Sequence, residues 1–265
     1  MRELSDSFDR AKSEGRAAFV GYLTGGYPDA ERCLEALIAM AEEGVDVLEV
    51  GIPFSDPIAD GATIQEATSV ALRNGTKPSD VLAMVGELRR ETSVPVVLFS
   101  YLNVILRYGL ERFAAEARAS GASAVIVPDL PLEESTAIAQ ELRRSGLGLV
   151  LLASPTTRDD RLARILDSSD CFTYLVSVTG ITGERAEVPR SAIELIRRAK
   201  SLRPSARVAV GFGVSSPQHG NLLASEGADG VVVGSRIVSL MREGGTAAVR
   251  DFVRSFRSSL FRRSG

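Results

Sequence analysis

Short apolar runs alternate with helix-patterned stretches eight times along this chain, and that rhythm restricts it to a parallel α/β architecture. The runs are Ala17–Tyr22, Val45–Val50, Val94–Phe99, Ala124–Val127, Leu147–Leu152, Phe172–Val176, Arg207–Val210 and Gly230–Val233. Several are almost unbroken Val, Ile and Leu, as in strands covered on both faces. Between them, Asp29–Glu43 places Cys33, Leu34, Leu37, Ile38 and Ala41 at helical spacing and stops at Gly44. Ser79–Arg90 does the same with Val81, Leu82, Val85 and Leu88, behind the start signals Pro78 and Ser79. Leu110–Ser120, Leu132–Ser145, Asp159–Leu166, Ala192–Leu202, Pro217–Ser225 and Thr246–Leu260 complete the series. Three helices pass into the next strand through one phrase: Gly44-Val45-Asp46, Gly121-Ala122-Ser123 and Gly227-Ala228-Asp229. Glycine suits the left-handed position after a helix, and a short polar turn then feeds the strand.

An open doubly wound sheet alternates in the same way. Eight runs of similar weight, and the absence of G-x-G-x-x-G after the first, favour closure. The expected fold is a single (β/α)8 TIM barrel over residues 1–265. A short helix precedes it, and an extra short helix follows the eighth strand. No Pro/Gly/Ser-rich linker divides the chain.

Composition narrows the function classes. With 45% hydrophobic and 25% charged residues, the chain of 265 residues can bury a large core and stay soluble. A net charge of −3 speaks against nucleic acid, which selects clustered basic surface. Arg254, Arg257, Arg262 and Arg263 form the nearest approach to such a cluster and are expected on the wet face of a last helix. Cys33 and Cys171 stand far apart in apolar surroundings, as small buried side chains of a reducing compartment do. The one histidine, His219, rules out a His-based metal site and is expected to be exposed in the first turn of its helix. Met1 to Gly15 carries no apolar signal core, and no run is long enough to span a bilayer. A cytoplasmic location is expected, without membrane attachment.

Barrel chemistry gathers at the C-terminal ends of the strands. Glu49 interrupts an apolar run there, in Val47-Leu48-Glu49-Val50-Gly51, and a structural ion pair explains it as well as catalysis does. The next segment, Phe54-Ser55-Asp56-Pro57-Ile58-Ala59-Asp60-Gly61, adds two carboxylates in a Pro- and Gly-bounded loop. Taken singly, Asp60 suits an N-cap and Asp56 an Asx-turn. Glycine turns follow the last three strands: Thr179-Gly180-Ile181-Thr182-Gly183, Gly211-Phe212-Gly213 and Gly234-Ser235. Barrels bind phosphate with such loops and the N-terminus of a short extra helix, here starting at Ser235. Asp129, in Pro128-Asp129-Leu130-Pro131, stays open between helix cap, loop organiser and partner of a reacting group. No nucleophilic triad is available without a histidine base.

The run from Leu48 to Gly61 resembles the tryptophan synthase alpha chain family. The resemblance extends over the whole chain. It takes in Leu23-Thr24-Gly25-Gly26-Tyr27-Pro28, Tyr101-Leu102-Asn103, Arg107-Tyr108-Gly109, Pro128–Pro131, Tyr174, Thr179–Gly183, Gly211–Gly213 and Val233–Ser235. It implies cleavage of indole-3-glycerol phosphate to indole and glyceraldehyde 3-phosphate, with Glu49 and Asp60 as the catalytic pair. It puts Tyr174, Thr182 and Phe212 against the substrate, and Gly183, Gly213, Gly234 and Ser235 around its phosphate. It implies no cofactor or metal in this chain, and a pyridoxal phosphate-dependent beta subunit as partner in an alpha2beta2 heterotetramer. Partner contact is expected at the barrel mouth, including the Pro53–Gly61 loop, and loops 53–61 and 179–190 are expected to close over substrate. Gly25, Ala62 and Arg236 depart from the family's usual Ala, Pro and small residue. The rival readings are a stand-alone indole-glycerol phosphate lyase, another phosphate-binding barrel, and a non-catalytic binding subunit on the same scaffold.

Overall fold

A computed structural model describes residues 1–176, 188–211 and 213–261. Its strands are β1 (Ala18–Thr24), β2 (Val47–Gly51), β3 (Val96–Phe99), β4 (Ala122–Ile126), β5 (Gly148–Val150), β6 (Leu152–Ala153), β7 (Thr173–Val176), β8 (Val208–Gly211) and β9 (Gly230–Val233). They are parallel and run β5-β4-β3-β2-β1-β9-β8-β7-β6 around one sheet. The two ends of that order are halves of one stave. β5 pairs with β4, Leu151 intervenes, and β6 pairs with β7. Across the break the Tyr174 N–H donates to the Leu151 carbonyl at 2.9 Å. The expected run Leu147–Leu152 is therefore the closing stave of a barrel, interrupted where the ladder changes partner.

Helices α1 (Arg2–Ser13), α2 (Ala30–Glu42), α3 (Ala62–Arg73), α4 (Pro78–Glu91), α5 (Leu102–Tyr108), α6 (Leu110–Ala119), α7 (Ser135–Arg144), α8 (Asp159–Ser168), α9 (Arg190–Leu202), α10 (Pro217–Ser225) and α11 (Ser235–Ser259) accompany the strands. Asp29 caps α2 by accepting the Arg32 N–H at 2.9 Å. α4 begins one residue earlier than its sequence signals: Pro78 is its first residue, and the Asp80 carboxylate closes the turn on the Lys77 N–H at 2.9 Å. Leu132–Ser145 opens as a 3-10 turn, Leu132–Glu134, before α7. α11 is interrupted at Gly245 (φ 63°, ψ −157°), which separates a short segment, 235–244, from the last helix, 246–259. The extra short helix after the eighth stave is thus present. α5 is an element the apolar spacing did not mark.

The N-terminal ends of the strands form a closed, ion-paired floor. α1 lies across it with Leu4, Phe8 and Ala11 buried and Phe8 stacked on Phe172 at 5.1 Å. The glycines of the repeated phrase all adopt positive φ: 94° at Gly44, 92° at Gly121 and 98° at Gly227. The polar residue two positions later ties the floor together. Asp46 accepts the Phe19 N–H at 2.8 Å and grips the Arg16 guanidinium at both oxygens. Asp229 accepts the Val208 N–H at 2.9 Å and pairs with Lys200, while Ser123 donates to Glu3 at 2.8 Å.

Two expectations change. His219 is buried, at 7% exposure, because the first turn of α10 lies inward; its Nδ1 faces the Ser215 N–H at 3.4 Å. Arg254 and Arg257 are more than a wet face: Arg254 forks onto Glu43 at 2.9 Å and Arg257 donates to the Gly44 carbonyl at 3.1 Å, pinning the last helix to the end of α2. Arg262 and Arg263 lie outside the described residues. Cys33 is buried and Cys171 half-buried. Among the described residues no helix is long and apolar enough to cross a membrane.

Candidate active site

Glu49 projects from the middle of β2 into the mouth of the barrel, opposite Tyr22 of β1 and Val97 of β3 in register. It is 2% exposed, and its Oε2 has no hydrogen-bond partner among the described residues. Among the described residues no cation pairs with Glu49, so the structural ion pair weighed for it is not seen there. Burial, aided by the nearby charge of Asp60, raises its carboxyl to about 8.

Asp60 reaches the same space from the loop after β2. It does not cap α3: Gly61 is the N-cap residue, with no side-chain cap, and Asp60 turns inward at 5% exposure. Its Oδ2 accepts the Tyr101 hydroxyl at 3.1 Å. Burial raises it to about 6, and the Tyr101 bond opposes that rise. The loop is shaped by its own backbone, with the Ile58 N–H on the Asp56 carbonyl at 2.9 Å and the Asp60 N–H on the Pro57 carbonyl at 3.1 Å. Asp56 remains exposed and takes the Ser55 hydroxyl at 2.5 Å.

One cavity joins these carboxylates to the glycine turns. Tyr22, Glu49, Asp60, Ile64, Phe99, Tyr174, Gly213, Val232, Gly234 and Ser235 line it. β2 and β9 flank β1, so Glu49 and Gly234 stand one stave apart with Tyr22 between them. Gly213 follows β8 with φ 98°, a conformation that a side chain strains. Gly234 and the buried Ser235 open α11 at the wall of this cavity, and the first N–H groups of a helix have no partners within it. Such a helix start, with a serine hydroxyl and a glycine turn beside it, suits an anion. Arg236 sits one residue further, 3.4 Å from Glu243, so part of its charge is already matched.

A second, wider cavity of about 590 Å³ opens beside the first, between Ala59, Pro128, Asp129, Leu132, Ala153, Arg161 and Val176. Asp129 is a loop organiser: its Oδ1 accepts the Leu102 N–H at 2.9 Å and so fixes the start of α5. The departures at Gly25 and Ala62 have local reasons. A methyl group at Gly25 would come within 2.8 Å of Val81 Cγ2 and 3.0 Å of the Gly51 carbonyl, so Val81 fills that space instead. Ala62 is the first residue of α3, a position that takes Pro and Ala alike.

The structure thus brings Glu49, Asp60, Tyr174, Gly213, Gly234 and Ser235 to one cavity. Thr182, Gly183 and Phe212, with most of the 179–190 loop, lie outside the described residues. Tyr22, Phe99, Ile64, Val232 and Tyr101 were not marked from sequence. Tyr22 and Tyr101 carried one available signal, a hydroxylated ring at the mouth end of an apolar run. Among the described residues no group of three or more His, Cys, Asp or Glu is arranged to hold a metal ion.

The family model described as tryptophan synthase alpha chain matches residues 8–257. A tryptophan synthase alpha chain of Prochlorococcus marinus (strain MIT 9313) is 48% identical over 90% of this chain and 86% of its own length. One from Arabidopsis thaliana is 39% identical over 97% of this chain and 95% of its own. Among solved structures, Mycobacterium tuberculosis tryptophan synthase superposes with a TM-score of 0.92 at 36% identity, covering 97% of this chain and 98% of that one. A chain of the Pyrococcus furiosus tryptophan synthase a2b2 complex superposes at 0.86 with 44% identity, covering 92% of this chain and 99% of that one.

Proposed function

This chain belongs to the tryptophan synthase alpha chain family, and from that premise we propose that Glu49 and Asp60 cleave indole-3-glycerol phosphate to indole and D-glyceraldehyde 3-phosphate. The observation that carries the assignment is the pair of buried carboxylates, held near 8 and 6, in one cavity with the glycine turns of β8 and β9.

The reaction breaks the bond between indole C3 and the hydroxyl-bearing carbon of the glycerol chain. A proton must reach C3, and the hydroxyl must lose one as its oxygen becomes the aldehyde carbonyl. Near pH 7, Glu49 is largely protonated and gives its proton to C3. The resulting carboxylate takes the hydroxyl proton while the bonding electrons return to the ring, so Glu49 ends as it began. Asp60 is largely ionised at that pH, accepts the ring N–H and stabilises the positive charge that C3 protonation places on nitrogen. Gly213, Gly234 and Ser235 hold the phosphate with backbone N–H groups, the serine hydroxyl and the start of α11, spending remote binding energy on orientation. Tyr174 lines the indole side. Thr182, Phe212 and Gly183 take the remaining substrate and phosphate contacts.

We further infer that residues 1–265 act as one catalytic domain in the cytoplasm, without a cofactor of their own, and that indole passes to a beta subunit carrying pyridoxal phosphate. The similarity to chains of tryptophan synthase complexes supports an alpha2beta2 assembly. So does the exposed apolar Ile58, at 80%, on the loop beside Asp60. The test is indole release from indole-3-glycerol phosphate by the chain alone and with a tryptophan synthase beta subunit added. Slow release that accelerates on mixing supports both parts. Fast release indifferent to the beta subunit favours the stand-alone lyase, and no release in either case overturns the roles of Glu49 and Asp60.

A further inference from the structure

We propose that Tyr101 is a positioning residue for this lyase, its hydroxyl fixing Asp60 and the end of the 53–61 loop as one unit. The inference rests on the assignment of Asp60 made above.

Tyr101 stands two residues beyond the end of β3 and is 2% exposed. Its hydroxyl donates to Asp60 Oδ2 at 3.1 Å and accepts the Ala59 N–H at 3.0 Å. One oxygen therefore holds two successive residues of the loop, one by its backbone and one by its carboxylate. The ring is clamped on both sides, by Phe54 from the loop at 5.2 Å and by Phe99 edge-on at 6.0 Å. The next peptide is tied down as well, by the bond from the Leu102 N–H to Asp129. The segment after β2 is thus held by the Tyr101 side chain, and the segment after β4 by the peptide that follows it.

The chemistry explains a neutral partner. A lysine or arginine beside Asp60 would orient the carboxylate but match its charge, leaving less for the developing indole cation. A phenol orients it by a hydrogen bond that favours the ionised form without cancelling it. Glu49 and the Tyr22 and Tyr174 hydroxyls face Asp60 from the other staves, and Asp129 faces Tyr101. Among the described residues it is the Tyr101 hydroxyl that donates to the Asp60 side chain. Its loss leaves a buried carboxylate with burial opposing its charge and one fewer donor to hold it in place.

The experiment is a double-mutant cycle on kcat for indole release, in the presence of the beta subunit, with Tyr101→Phe, Asp60→Asn and both together. Phenylalanine keeps the ring between Phe54 and Phe99 and removes only the hydroxyl. We expect Tyr101→Phe to lower kcat about tenfold and to move the acid limb of kcat/KM upward by roughly half a pH unit or more. In the Asp60→Asn background it should change kcat by less than about twofold, since its effect runs through the carboxylate. Equal losses in both backgrounds, or an unmoved acid limb, would overturn the proposal. An Asp60→Asn enzyme that keeps near wild-type kcat, rather than a low residual rate, would instead remove the Asp60 assignment, and this inference with it. Should Tyr101→Phe fold poorly, Asp129→Ala provides a second reading: it should shift the same limb in the same direction, whereas Asp129→Asn, which keeps an acceptor for Leu102, should not. Wild-type behaviour of Asp129→Ala would then count against the proposal.

Discussion

At the residue scale the site is two carboxylates that burial pushes upward by different amounts. The proposed mechanism needs Asp60 ionised and Glu49 protonated, so kcat/KM should follow a bell whose limbs fall near pH 6 and pH 8. A profile flat from pH 5 to 9 would contradict the division of labour. The same burial carries a stability cost with a definite sign. Glu49 binds its proton more tightly folded than unfolded, so its contribution is most favourable below the unfolded value and is lost as pH rises toward 8. Glu49→Gln removes that loss and should also cut kcat by about 10²–10⁴-fold. Relative to wild type, its melting temperature should climb between pH 5 and 8, by the equivalent of about 2–4 kcal/mol, and level off above. A gap independent of pH would show that Glu49 is not the buried, proton-retaining group described. Glu49 was legible because an acid inside an apolar strand is costly. Tyr101 was not, since its ring suits a core and its role depends on a hydroxyl bond across 41 positions of sequence.

At the element scale, what sequence displayed was periodicity, and what it hid was brief. α5 spans only Leu102–Tyr108, with Ile105 its one fully buried residue, too short for an apolar stripe to declare itself. The closing stave was visible as a run, but its division at Leu151 follows from barrel closure, which no local pattern encodes. His219 misled for a related reason: polarity in a first turn suggests solvent, yet that turn packs toward the barrel. The start of α11 shows the converse, a helix N-terminus recognised from Gly234-Ser235 and found facing the carboxylates' cavity. Its partner turn supplies a test. Gly213→Ala places a side chain at φ 98°, so the loop must shift away from the anion. Competitive inhibition by glycerol 3-phosphate should weaken about tenfold, or about 1.4 kcal/mol. Unchanged inhibition would place phosphate elsewhere.

For the whole molecule, the barrel separates two kinds of buried acid by height. Glu49 and Asp60 face the mouth of the barrel, raised by burial and without cationic partners among the described residues. Asp46 stands at the opposite end, 4% exposed, both oxygens engaged by an Arg16 guanidinium that is itself 1% exposed. The sequence phrase Gly44-Val45-Asp46 looked like a turn, and the turn was legible. Its third residue turned out to carry a buried ion pair because Arg16, thirty positions away, arrives with the start of β1. Buried pairs of this kind are costly to break from one side, since the remaining charge stays desolvated. Asp46→Ala should therefore destabilise the chain by about 3–5 kcal/mol, read as a drop in the urea midpoint. Replacing both partners with apolar residues should recover much of that loss, because no orphaned charge remains. Neither change touches the mouth, so kcat and KM of the folded fraction should stay within about twofold of wild type, as expected where one face of a barrel holds stability and the other chemistry. A fall in kcat larger than the loss of folded protein would mean that the floor and the mouth are mechanically coupled through the staves between Asp46 and Glu49.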